Sequence, residues 1–292
     1  MPHNTLIDFL CIGHLCHDRY VGGNLLGGTA SYVSLIARQL GRKPAILTSV
    51  GPDFEFFPVF EQNGIPVCNK PAAETTVFEN IYHDGTRTQY LHARAGTLNA
   101  GDVPAEWRTA PVALCCPIAD EVDFCLLQAF PNSLVGVTIQ GWLRQWDECH
   151  RVFPKAMDWS RLAGADVAIL SDADIAGFEA ALPQIAETVK VLVMTKGAAG
   201  AVVFQEGQQY HFPAFPVKEA DATGAGDVFA AAFLIRYSET RDIALSAAFA
   251  HCAASFVVEG VGVRNMPGPD LLLGRLGEYK TKFGERLPLC FS

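Results

Sequence analysis

Residues 221–233, Asp221-Ala222-Thr223-Gly224-Ala225-Gly226-Asp227-Val228-Phe229-Ala230-Ala231-Ala232-Phe233, decide how this chain is read. Gly224, Ala225 and Gly226 are small, so the backbone there can approach a bulky ligand. Asp227 opens an apolar run, Val228 to Ile235, that reads as a buried helix. A helix start carries unpartnered amide N–H groups and the positive end of the helix dipole. Together these features form an anion hole suited to phosphate. Asp227 stands where an anionic ligand would sit. One reading makes it a helix cap. The other makes it a base beside a phosphoryl group, taking a proton from an attacking hydroxyl.

Outward from this stretch, the 292 residues alternate between strand-like and helix-like runs. Leu6–Ile12, Ala45–Val50, Val112–Cys116, Leu134–Ile139, Asp166–Leu170, Val191–Thr195, Ala201–Gln205 and Gln208–Pro213 read as strands. Thr29–Leu40, Glu121–Phe130, most of Ser171–Glu187, Ala225–Tyr237 and Asp242–Val258 read as helices, the last two being the final major ones. Pro183 is expected to kink or divide its helix. The alternation predicts one α/β domain over 1–292, with a mostly parallel central sheet flanked by helices. Between Thr75 and Arg94 the pattern becomes alternating, with His83-Asp84-Gly85-Thr86 as a hairpin signal. This predicts a small antiparallel β lid from about residues 18–28 and 76–95, either covering a ligand or forming an ordinary edge hairpin.

Half of the residues are hydrophobic, 18% are charged and the net charge is −9. That balance supports a large core and lacks the basic footprint of a nucleic-acid binder. No apolar run approaches the ~18 residues of a membrane span, and the first residues read as a strand rather than a leader. Nine cysteines without a CxxC pair predict buried, reduced thiols in a cytoplasmic protein. His14, Cys16, His17 and Asp18 raise a zinc reading, but no second ligand pair follows at finger spacing. A dinucleotide site is disfavoured because no GxGxxG follows the first strand.

Ligands of parallel α/β sheets sit at the carboxyl ends of strands. Asp18, Gln140, Asp172, Asp174, Thr195, Gly197, Asp221 and Asp227 all fall there. Acids around a phosphate site suggest Mg²⁺-nucleotide binding and phosphoryl transfer.

The stretch DATGAGDVFAAAF resembles the C-terminal signature of the PfkB, or ribokinase-like, carbohydrate kinases. Gly27-Gly28 followed by TASYVSLIARQLG resembles their N-terminal signature, and MTKGAAGAVVF their nucleotide-binding strand–turn–strand. The resemblance spans nearly the whole chain and implies an ATP- and Mg²⁺-dependent kinase, with a monovalent cation such as K⁺ placed by Asp221. It implies Asp227 as base and the amides of Gly224, Ala225 and Gly226 as the phosphoryl site. Asp18 and Gly28, with Gln140, would bind the acceptor. Thr195 and Gly197 would line the nucleotide site, and Asp174, helped by Asp172, would serve the metal. The resemblance also allows a homodimer through the lid, with Val21, Leu25 and Leu26 either forming its apolar surface or closing over the chain's own site.

Ser171 and Asp174 stand where the family usually has Asn-x-x-Glu, and Tyr32 stands where it has asparagine. GHLCHD, GGTASYVSL and ETTVFEN are similar to the branch containing plant myo-inositol kinases. The acceptor is therefore expected to be myo-inositol or a related sugar, with Arg94 and Arg144 as structural or surface residues. A nucleoside kinase is the alternative, with Phe78, Tyr82 and Tyr90 stacking on a base rather than packing the lid against the domain. A catalytically silent nucleotide binder is the third reading. Asp227 is expected to keep the low pKa of an acid at a helix start.

Overall fold

The computed structural model describes residues 6–83, 86–260 and 265–284. The chain runs through β1 (Phe9–Ile12), β2 (Cys16–Tyr20) and β3 (Gly23–Gly27) into helix α1 (Thr29–Gln39). Next come β4 (Pro44–Val50), α2 (Phe57–Gln62), β5 (Val67–Pro71), and the long pair β6 (Thr76–His83) and β7 (Thr86–Ala93). β8 (Val112–Cys115) and β9 (Leu134–Thr138) precede a short hairpin, β10 (Arg144–Trp146) and β11 (Val152–Pro154). Then follow β12 (Val167–Ser171), α3 (Leu182–Thr188), β13 (Val191–Thr195), β14 (Ala201–Gln205) and β15 (Gln208–Phe212). Helices α4 (Ala225–Thr240), α5 (Ile243–Val258) and α6 (Pro269–Phe283) come after the last strand.

Among the described residues, nine strands form one sheet in the order β15-β14-β13-β12-β9-β8-β1-β4-β5. Pairing is parallel from β5 to β13 and antiparallel only through β13, β14 and β15. The apolar runs of β1, β8 and β9 are buried at every position, as strands covered on both faces must be. One face packs on α1, α4, α5 and α6, and the other on α3 with Phe130 and Trp142. Helix α4 is buried along its whole run from Val228 to Ile235, between sheet and α5. Gly136 lets it come close, since a Cβ there would lie 2.3 Å from Leu234 Cδ1.

β1 has β4 on one side and β8 on the other, so the chain reverses its direction of travel at β1. Such a switch point opens a crevice at the carboxyl ends of the strands. The lid rises there in the order β3-β2-β6-β7. It is not wholly antiparallel, because β2 pairs parallel to β6. Both strands leave the carboxyl edge of the same parallel sheet, so they run the same way. Asp84 and Gly85, at the centre of the expected hairpin turn, lie outside the described residues. Tyr20, Val21 and Leu25 are exposed on the lid, whereas Leu26 packs against the core.

Three helical expectations are corrected. Glu121–Phe130 holds only a short 3-10 segment at Phe124–Gln128. Glu121 instead serves as a buried clasp, its carboxylate accepting the N–H groups of His14, Ile118 and Ala119. In Ser171–Glu187 only α3 and a 3-10 turn form, and Pro183 sits in the first turn of α3, where its missing N–H costs nothing. Helix α6 was not expected, and its Tyr279 anchors it through a hydrogen bond to the Pro213 carbonyl. The thiols of Cys11, Cys16, Cys115, Cys116 and Cys252 are buried, but Cys125 and Cys149 are exposed. No helix among the described residues is long and apolar enough to cross a membrane.

Candidate active site

Two cavities meet at the first turn of α4. The first, about 600 Å³, lies beneath the lid and is lined by Asp18, Gly28, Gln140, Arg144, Gly224 and Asp227, among others. The second, about 310 Å³, lies between the turn after β13 and helices α4 and α5. Its walls include Thr195, Gly197, Ala225, Phe229 and His251. Glu219, Ala222 and Gly226 border both. A group at Gly226 is therefore open to ligands from either side.

Local sterics explain this junction. Helix α4 starts at Gly224, whose φ of 78° is the left-handed conformation that favours glycine, and no side chain caps it. The loop before it is tied down, with the Ala220 and Asp221 N–H groups on the Val258 carbonyl and the Thr223 N–H on Asp221 Oδ1. The double glycine is equally constrained. A Cβ on Gly27 would lie 2.4 Å from Asp18 Oδ2, and one on Gly28 (φ 91°) 2.4 Å from the His14 carbonyl oxygen. Asp18 reaches the cavity because Gly27 has no side chain.

Asp227 lines the first cavity with only part of its surface exposed. Loss of hydration in the cleft pushes its carboxyl from the ordinary 3.8 up to about 6. A hydrogen bond from Thr29 and the Arg144 charge pull the other way, and the Asp174 and Asp18 carboxylates add to the rise. This corrects the expectation of a low value. The helix start favours the anion, but removal from water outweighs it. A base near 6 is still mostly ionised at neutral pH and binds a proton more readily than an ordinary aspartate.

Arg144 was expected at the surface or in a structural role, yet it lines the cavity. Its Nη1 donates to the Ile118 carbonyl, and its guanidinium stands 5.4 Å from the Phe78 ring centre. Arg94 does hold structure, donating to the carbonyls of Ala119 and Asp120. Gln140 lines the cavity and donates through Nε2 to Asp174 Oδ1 at 2.9 Å. The other carboxylate oxygen of Asp174 accepts from Ser171 N and Oγ. Asp172 and Asp174 both lie outside the walls of the two cavities; Asp174 is tied to the first through Gln140, whereas the Asp172 N–H donates to the Thr195 carbonyl. The His14-to-Asp18 cluster is dispersed. His14 bonds Thr76 and Gly96, His17 stacks on Phe54, and only Cys16 and Asp18 of the four line the cavity.

His251 was missed in the sequence. Its ring is buried in the wall of the second cavity, edge-on to Phe229. It bonds the Phe212 carbonyl, which leaves Nε2 without a partner among the described residues. Burial lowers its pKa to about 4, so the ring is neutral. A neutral, unpartnered ring nitrogen in an apolar wall suits one edge of a nucleobase. The only signal for it was a lone histidine inside the apolar run of α5.

The model of the pfkB family carbohydrate kinases matches residues 111–270. This chain belongs to that family. It is therefore a kinase with a hydroxyl group as phosphoryl acceptor. Cytidine kinase of Thermococcus kodakarensis is 25% identical over 266 residues, covering 82% of this chain and 91% of the relative. Inositol 3-kinase of Arabidopsis thaliana is 25% identical over 298 residues, covering 96% and 81%. Fructokinase of Xylella fastidiosa with bound ATP superposes with a TM-score of 0.77 at 18% identity, over 94% of this chain and 99% of that one. The ribokinase-like fold follows from such likenesses.

Proposed function

We propose that this kinase transfers the γ-phosphoryl group of ATP to a hydroxyl of an uncharged polyol, myo-inositol or a related sugar. The observation that carries this reading is the meeting of two chemically different cavities at the first turn of α4. The apolar cavity with His251 suits a nucleobase, and the polar cavity with Asp18, Gln140 and Asp227 suits a ring of hydroxyls. Asp227 takes the proton of the attacking hydroxyl as its oxygen bonds to phosphorus and the bridging oxygen leaves with the nucleoside diphosphate. The amides of Gly224 and Gly226 stabilise the transferring group, whereas the Ala225 N–H, expected to join them, is taken by the Ala222 carbonyl at 3.1 Å. Gln140 in the cavity wall, with Asp174 hydrogen-bonded to it, would hold a hydrated Mg²⁺ through the ion's waters, and its charge would offset that of the phosphates. Asp221 is the candidate for placing a monovalent cation.

Phe78 supports a polyol over a nucleoside, because the Arg144 guanidinium stands over its ring. Tyr90 stacks on His92 and does not line the cavity. The cytidine kinase relative favours the second reading, a nucleoside acceptor. ADP release with Mg²⁺-ATP separates them across myo-inositol, ribose, fructose, a sugar phosphate and several nucleosides. Signal from a free polyol supports the proposal, and signal confined to nucleosides replaces it with the second reading.

A further inference from the structure

The first turn of α1 touches the first turn of α4 at two points. Tyr32 is almost fully buried, and its ring lies against Gly224. A Cβ on that glycine would sit 2.2 Å from Tyr32 Cε1 and 2.3 Å from Cδ1. Thr29, three residues earlier, shares that face of α1. Its side chain and the carboxylate of Asp227, which lies three residues beyond Gly224, line the same cavity, and the Thr29 hydroxyl acts as a hydrogen-bond donor that favours the ionised carboxylate. One helical turn thus meets another at matching i, i+3 positions. We propose that Thr29 and Tyr32 are positioning residues: Tyr32 fixes the loop that presents the Gly224 and Gly226 amides, and Thr29 fixes the carboxylate of Asp227. The proposal rests on the reading of Asp227 as base and goes beyond it, because neither residue belongs to the acid or glycine positions of that reading.

The chemistry of each contact is suited to the role. The left-handed Gly224 has no side chain to brace it, so a flat ring against its Cα restricts the loop without occupying the anion hole. The Tyr32 phenol stays protonated through burial first, then through the carboxylates of Asp18, Asp227 and Asp221. It therefore adds no charge beside the phosphoryl site. Thr29 offers a hydrogen bond to a carboxylate whose other charged or titratable neighbours, among the described residues, include Cys16 and Asp18 of β2, Tyr32 of α1, Cys116, Arg144 and Asp174. Thr29 is the neighbour whose removal takes a hydrogen bond from the anion while leaving every formal charge in place.

The test combines titration and kinetics. Carboxyl-¹³C NMR of Asp227, assigned with Asp227→Asn, needs no acceptor. Thr29→Val should move the Asp227 midpoint up by ~1 pH unit, and Thr29→Ser should restore it, since hydrogen bonding to the charged form favours that form. Tyr32→Leu should lower kcat by ~10- to 100-fold with acceptor KM within ~3-fold, because small misplacements of reacting groups cost rate. Tyr32→Phe, which keeps the ring, should stay within ~3-fold of the parent on the same principle. If Tyr32→Leu does not fold, Tyr32→Met takes its place. An unmoved Asp227 midpoint in Thr29→Val overturns the proposal. So does a Tyr32→Leu variant with normal kcat and raised acceptor KM, which would make Tyr32 an acceptor contact. A shifted midpoint in a protein that turns over no acceptor would support the Thr29 contact and count against the reaction reading alone.

Discussion

Replacing Asp227 with asparagine should stabilise the protein while removing its activity, and the structure gives the size of the gain. The folded carboxyl titrates near 6 and the ordinary value is 3.8. Between those values the folded state binds more protons than the unfolded state. Stability from this group is therefore full below about 3.8 and is lost as pH rises through about 6. The gap of roughly two units corresponds to about 3 kcal/mol at pH 7.5. Asparagine is nearly isosteric and has no charge to desolvate, so it avoids that cost. For a chain of this length the difference corresponds to a Tm increase of about 5 °C. The assay is thermal unfolding of parent and Asp227→Asn side by side at pH 7.5 and pH 4. The variant should be more stable at pH 7.5, and the gap should close towards pH 4, where the parent carboxyl is protonated. An Asp227→Asn variant less stable than the parent at pH 7.5, or a gap indifferent to pH, would refute the electrostatic account.

His251→Leu should raise the KM for ATP by ~5- to 10-fold with kcat nearly unchanged, as expected for loss of one buried hydrogen bond. Initial-rate kinetics at saturating acceptor check this. Glu121→Gln keeps the shape of the clasp but removes the charge that three N–H groups share, so urea unfolding should show a loss of about 1–3 kcal/mol. Gly136→Ala forces a methyl into the space of the fully buried Leu234 and should cost about 1–3 kcal/mol, with activity per folded molecule retained.

The parts of this fold that were legible in the sequence are those where sterics admit few residues. Gly27 makes room for the Asp18 carboxylate, Gly28 for the His14 carbonyl, and Gly224 for the Tyr32 ring. The apolar runs of β1, β8 and β9 were equally plain, because a strand buried on both faces tolerates little else. The errors arose where a local pattern serves a tertiary purpose. Glu121 looked like the start of a helix, but its carboxylate gathers N–H groups from two separate loops. Arg144 looked peripheral because nothing near it in sequence shows that the turn at Gln140–Leu143 returns it to Phe78. His251 and the elevated Asp227 pKa depend on burial, which distant segments supply.

The most direct test of the central claim is phosphoryl transfer from Mg²⁺-ATP to myo-inositol at pH 7.5, followed as sugar phosphate formed by the parent and by Asp227→Asn. The parent should form product, and the variant should lose at least ~100-fold in kcat, the scale of a positioned general base, while remaining folded. Near-normal turnover by Asp227→Asn, or phosphorylation of nucleosides but no polyol by the parent, would contradict it.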